Sequence, residues 1–135
     1  MKPTLNVQEQ AAIGFASIRA AVTGGHDLRE SWKALADLLG DDGRHPAVVT
    51  GATGCLLYLT AAVERAGFLP VIEIEDLNNF LHLGHSDRIK AIQSALLQNN
   101  KLLLYRQVLA MITCIAPHQD RVTFAGDIPT VGPIV

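Results

Sequence analysis

A mainly α fold, a compact single-domain bundle of about five or six helices, is what this sequence predicts. Three observations carry the expectation. Apolar residues recur at helical spacing through most of the chain. Box-like capping pairs open two of these segments, and glycine closes them. Alternation of the strand kind is confined to two short stretches, 71–75 and 121–125. The alternative architecture is α/β, with a βαβ unit over 46–76.

The first helix is expected over 6–23. Asn6 and Glu9 stand at capping-box spacing, and Ala11, Phe15, Ile18 and Val22 line one face behind them. Gly24-Gly25 ends the run, because glycine takes the left-handed cap without a Cβ clash. The grammar repeats over 28–39. Asp27 and Glu30 open it, Leu28, Trp32, Leu35 and Leu39 form the stripe, and Gly40 closes it. Residues 41–45 read as a polar turn, and Pro46 suits the start of the next segment.

A third helix is expected over 54–66. It is apolar almost all round, with Thr60 and Glu64 on its one polar line, so it belongs at the centre of the fold. Gly67 terminates it. Over 71–75, Ile72 and Ile74 alternate with Glu73 and Glu75, which favours a strand. Ile74, Leu77 and Leu81 also stand at helical spacing, so both readings remain open. Gly84 breaks the chain, with Ser86-Asp87 as the expected cap of the next helix. A long helical stretch, 88–116, is split at Asn99-Asn100 and ended by Pro117. Arg121 to Ala125 is a short strand. The domain is expected to cover 1–126, with 127–135 as an extended C-terminal tail rich in proline and glycine.

Composition bounds the function. The chain has 135 residues, enough for one real core, with 49% apolar and 18% charged residues and a net charge of −2. That balance is the opposite of a disordered chain. It also argues against a generally basic nucleic-acid or membrane-surface protein, though a local basic patch remains compatible with it. The two cysteines, Cys55 and Cys114, lie inside apolar runs, where buried free thiols are the norm. The N-terminal residues lack the apolar segment of a signal peptide, and the uninterrupted apolar runs are too short to cross a membrane. A soluble, cytoplasmic protein without a membrane partner is the expectation.

The segment 48–54, VVTGATG, resembles the glycine turn of extended short-chain dehydrogenases. The resemblance implies a nicotinamide-nucleotide site in which Gly51 and Gly54 approach a pyrophosphate at a helix N-terminus, and Asp76 binds a ribose. Leu57 stands where the family's third glycine would be, and no Tyr-x-x-x-Lys pair is found further along the chain. The segment 77–92 resembles the helix–turn–helix of bacterial repressors, with Gly84 and Ser86 in the turn. It implies DNA binding, with Arg88, Lys90, Lys101 and Arg106 as phosphate contacts. The aliphatic residue that family buries six positions after the glycine falls at Lys90, with Ile89 one place early. Such a slip turns a side chain through about 100°.

His82 and His85, together with Cys114 and His118, supply four nitrogen and sulfur donors of the kind tetrahedral zinc takes, but at no signature spacing. No catalytic nucleophile pattern and no required cofactor emerge. The remaining reading is a non-enzymatic protein–protein interaction or assembly module that binds a protein partner or itself. Small helical chains without a catalytic motif commonly serve as accessories of phage, plasmid or toxin–immunity systems. Two features support contact as the mode of action: the strongly apolar helices at 54–66 and 101–116, and the apolar tail DIPTVGPIV.

Overall fold

The computed structural model describes residues 6–37 and 46–133. Within them the fold is mainly α. Six α-helices are followed by a 3-10 segment and a two-stranded antiparallel hairpin. The chain gathers into two compact units, Met1–Cys55 and Leu56–Val135.

The first unit holds α1 (Val7–Thr23), α2 (Leu28–Ala36) and the first half of α3 (Pro46–Arg65). Both capping pairs form as expected. The Asn6 side chain accepts from the Glu9 amide at 2.8 Å and the Asp27 side chain from the Glu30 amide at 3.0 Å. Ile18, Val22, Leu28 and Trp32 are buried, together with Val48, Val49 and Ala52 of α3. Trp32 Nε1 donates to Thr53 Oγ1 at 3.2 Å, and that hydroxyl donates to the Val49 carbonyl one turn back. Trp32 thus fills the core while its polar edge stays satisfied. The expected end of the second stripe, Leu39 with Gly40, and the turn at 41–45 lie outside the described residues.

The βαβ alternative over 46–76 does not form. Residues 46–65 are one continuous helix, so 46–50 is not a strand and 51–54 is not a turn. The helix begins at Pro46, whose ring favours a first helical position. It starts eight residues before the expected 54. By length and hydropathy it could cross a membrane, yet 72% of its apolar window is buried inside the protein. That burial is what a core helix shows.

The second unit holds the rest of α3, then α4 (Glu75–Leu81), α5 (His85–Leu97) and α6 (Lys101–Ile115). A 3-10 segment, Ala116–Arg121, leads into β1 (Val122–Ala125) and β2 (Ile128–Val131). α6 packs against α4, α5 and the 3-10 segment. The core is Leu56, Leu59 and Val63 of α3, with Leu77 and Leu81 of α4, Ile92 of α5, and Leu104, Val108, Met111 and Ile115 of α6. The expected split at Asn99-Asn100 is present. Asn99 adopts φ 50, its amide bonds to the Leu96 carbonyl, and the Asn100 amide reaches back to the Ala95 carbonyl. The Asn100 side chain then caps α6 through the Leu103 amide at 3.1 Å.

The expected strand at 71–75 is replaced by an irregular segment that enters α4. The helical spacing prevails because it buries more. Leu77, Phe80 and Leu81 go into the core, while Ile72 of the alternating pattern is half-buried and Ile74 stays 52% exposed. The Ile72 amide takes the Asn78 side-chain oxygen at 2.9 Å in place of a ladder partner. α5 begins at His85, ahead of the expected 88, and its N-cap is Gly84. Ser86 and Asp87 lie within the first turn and do not cap it.

The strand expected at 121–125 forms as β1, and residues 128–131 of the extended tail pair with it as β2. Pro129 is tolerated for a reason of register. The Gly132 amide bonds to the Arg121 carbonyl, and pairs alternate along an antiparallel ladder. Phe124 and Pro129 therefore form a non-hydrogen-bonded pair, in which the missing proline N–H costs no ladder bond.

Candidate functional site

The segment from Ile74 to Arg106 concentrates the candidate residues, and α4 is its least self-sufficient part. A seven-residue helix is marginal by itself, and its last carbonyls have no partners within the helix. The His82 and Leu83 amides meet those of Asn78 and Phe80, and Arg88, in the first turn of α5, serves the last one, Leu81. Arg88 Nη1 donates to the Leu81 carbonyl at 2.8 Å and to the Leu83 carbonyl, and its Nη2 binds Glu64 of α3 at 2.8 Å. The Arg88 side chain is wholly buried, with Glu64 39% exposed.

This placement corrects the phosphate role expected of Arg88. A guanidinium with no exposed surface, spent on two carbonyls and a carboxylate, has nothing to offer a nucleic-acid backbone. It also explains the departure from the repressor pattern. Arg88, Ile92 and Ala95 take the inward positions of α5, so Lys90 points to solvent and Ile89 is half-buried. Two short helices joined by three residues are present: α4 ends at Leu81, residues 82–84 connect, and α5 starts at His85.

Of the other basic candidates, Lys90 and Lys101 are exposed. Arg106 is bound through both Nε and Nη2 to the Asp76 carboxylate, each at 2.8 Å. The Arg106 guanidinium beside Asp76 holds that carboxyl below its ordinary range. Asp76 is therefore a partner for Arg106 in the first turn of α4, not an acid at the end of a strand. Gly51 and Gly54, the other nucleotide candidates, lie inside α3. A Cβ on Gly51 would sit 1.8 Å from the Ala11 carbonyl oxygen, so that glycine serves a helix crossing with α1, whereas Gly54 faces open space.

The four metal candidates are not brought together. Among the described residues, no group of three or more His, Cys, Asp and Glu side chains could hold a metal ion. The His82 Nε2 lies 2.8 Å from the Pro70 carbonyl, and the His85 ring faces Tyr58. Cys114 is in the core, where burial pushes its thiol up to about 12, with Arg88 opposing and Glu64 adding to that rise. His118 stacks on Phe68 with ring centres 4.8 Å apart and bonds through Nδ1 to Arg121, whose guanidinium also covers the Phe68 face at 5.0 Å.

Burial first, and the Arg121 charge second, hold the His118 pKa below its ordinary 6.5, with Asp120 opposing. The unfolded chain then binds this proton more tightly than the folded one. The His118 contribution to stability is present above the unfolded value and is lost as the pH falls through the folded one. Stability should therefore decline as the solution is acidified below about 6.5. His118→Gln should remove that part of the dependence in denaturation curves taken across the range.

Sequence reasoning did not single out the Leu97–Leu103 surface. Leu97 is 88% exposed and Leu102 71%, one on each side of the Asn99-Asn100 turn, with Leu103 at 38%. The run Leu102-Leu103-Leu104 was a signal, since three consecutive apolar residues cannot all face one core in a helix. Only Leu104 is buried. Arg106 comes one turn later, and its ion pair ties this end of α6 to the first turn of α4, next to the exposed Ile74. No protein-family model, curated protein or solved structure matches this chain.

Proposed function

We propose that this chain is a non-enzymatic protein–protein interaction module that docks through the apolar surface where α5 turns into α6. The observation that carries the reading is the exposure of Leu97 and Leu102 at 88% and 71% on the two sides of one tight turn. Leucines so placed, beside Leu103 and close to the Asp76–Arg106 pair, resemble an interface core with a charged rim. A second copy of the chain is the occupant considered first, because an apolar patch on a two-fold axis is complementary to itself.

The test is mass in solution. The wild-type chain should run above its monomer mass of 14.5 kDa, and Leu97→Glu/Leu102→Glu should return it to that mass with unchanged helicity. A wild type that stays monomeric at high concentration, and leaves no crosslink at this surface, would overturn the self-association reading.

The second reading is DNA binding through α4 and α5 used as a helix–turn–helix. The observation that favours it is the outward face of α5, where Ser86, Lys90, Gln93 and Ser94 are all exposed. Arg88 is buried and Arg106 is ion-paired, so of the charges on α5 Lys90 is the one this reading uses. Salt-dependent retention of duplex DNA, lost in Lys90→Glu, would favour it over the first reading.

A further inference from the structure

A cleft of about 300 Å³ opens in the second unit, lined by Tyr58, Ala61, Arg65, His85, Ile128 and Pro129. Three elements build it. Tyr58, Ala61 and Arg65 share one face of α3 at helical spacing. Ile128 and Pro129 come from β2, and His85 is the first residue of α5. No acidic side chain is among the lining residues.

The polar groups are held in place. Arg65 Nη2 donates to the Pro129 carbonyl at 3.3 Å, which anchors the guanidinium and spends one of its donors. His85 Nδ1 is buried and has no hydrogen-bond partner. Nε2 is the ring's other hydrogen-bonding position. The first-turn amides of α5 carry partial positive charge and receive no side-chain cap from Gly84, with Asp87 in the same turn offsetting part of that charge. The apolar side is equally defined. The Tyr58 and His85 rings stand 6.0 Å apart at 53°, and Tyr58 and Ile128 remain 42% and 61% exposed.

We propose that this cleft binds a small organic anion with a flat apolar body, an aromatic monocarboxylate. The carboxylate engages the remaining fork of Arg65, with the His85 Nε2–H as second donor, and the ring lies against Tyr58, Ala61 and Pro129. One fixed guanidinium suits one negative charge, and its planar donors match a carboxylate. The volume lies at the small end of ligand sites, which fits a compact aromatic acid.

The experiment is a nitrogen-15 amide titration of the full chain with 2-naphthoate and with its uncharged analogue 2-naphthamide. Naphthoate should produce saturable shifts at Ala61, Arg65, His85 and Ile128. The amide should bind about tenfold more weakly or less, as expected for loss of a charge-assisted hydrogen bond. Arg65→Gln should weaken naphthoate by about the same factor and leave the amide unaffected. Because Arg65 also holds Pro129, Ile128→Glu at an exposed position serves as the second variant. It should weaken naphthoate by like-charge repulsion while the spectrum of the free chain stays folded. Absence of a saturable shift at millimolar naphthoate, equal binding of acid and amide, or shifts confined to other residues would overturn the assignment.

Discussion

Arg88→Ala is expected to destabilise the protein by about 2–5 kcal/mol, the range for truncating a large buried side chain to alanine. The measurement is the denaturant midpoint at unchanged slope. The loss has three parts. The Leu81 and Leu83 carbonyls lose their shared donor, Glu64 loses its partner, and a large, fully buried side chain leaves a cavity. Glu64 is partly exposed and can turn to water, so Glu64→Gln alone should cost less, about 1–2 kcal/mol. Arg88→Lys should fall between the two, because a single ammonium cannot reproduce the fork that serves two elements. A loss under about 1 kcal/mol for Arg88→Ala, the worth of a surface pair, would mean that water satisfies these carbonyls in solution.

The second large effect is expected where α1 crosses α3 within the first unit. A Cβ on Gly14 would lie 1.8 Å from the Val48 carbonyl oxygen, and one on Gly51 would lie 1.8 Å from that of Ala11. Both neighbours are backbone, so the helices themselves must separate. Gly14→Ala and Gly51→Ala should each cost about 1–3 kcal/mol or more, the range for overpacking a tight core. The double variant should cost less than the sum, because one separation relieves both clashes. Gly54→Ala is the internal control. It meets nothing within 4 Å, so it should stabilise α3 by up to about 1 kcal/mol, the helix propensity of alanine over glycine. Thermal unfolding of the four variants separates these outcomes, and a neutral Gly51→Ala would show that the crossing is looser in solution.

The glycines also show where local reading stops. TGATG carries the same letters in a phosphate-binding turn and in a helix interior. The choice belongs to what lies alongside, here the Ala11 carbonyl against Gly51, which no pattern within 46–76 encodes. Gly14 did leave a trace, since glycine in a helix interior is costly unless something needs the space. That something is Val48, which lies far along the chain from Gly14. The segment 71–75 failed as a strand for a related reason. Its alternation was real, but alternation is stabilising only with a ladder partner and one buried face, and Asn78 with the α4 leucines offered a better arrangement. Of the candidate site residues, Lys90 and Lys101 are exposed as a surface role requires, whereas Arg88 could not be placed from its charge alone.

The amino-acid sequence by itself determined the mainly α fold, the caps at Asn6 and Asp27, the break at Asn99-Asn100, the end of α3 at Gly67 and the strand at 122–125. All of these depend on residues within a few positions of one another, where backbone preference and side-chain capping act. Only the tertiary structure decided that Arg88 is a buried clamp, that Asp76 belongs to Arg106, that Gly51 serves a crossing, and that Leu97 and Leu102 are left uncovered. Those outcomes depend on which surfaces meet across long stretches of chain. Burial then sets the energy of a charge or a leucine, and composition alone does not reveal it.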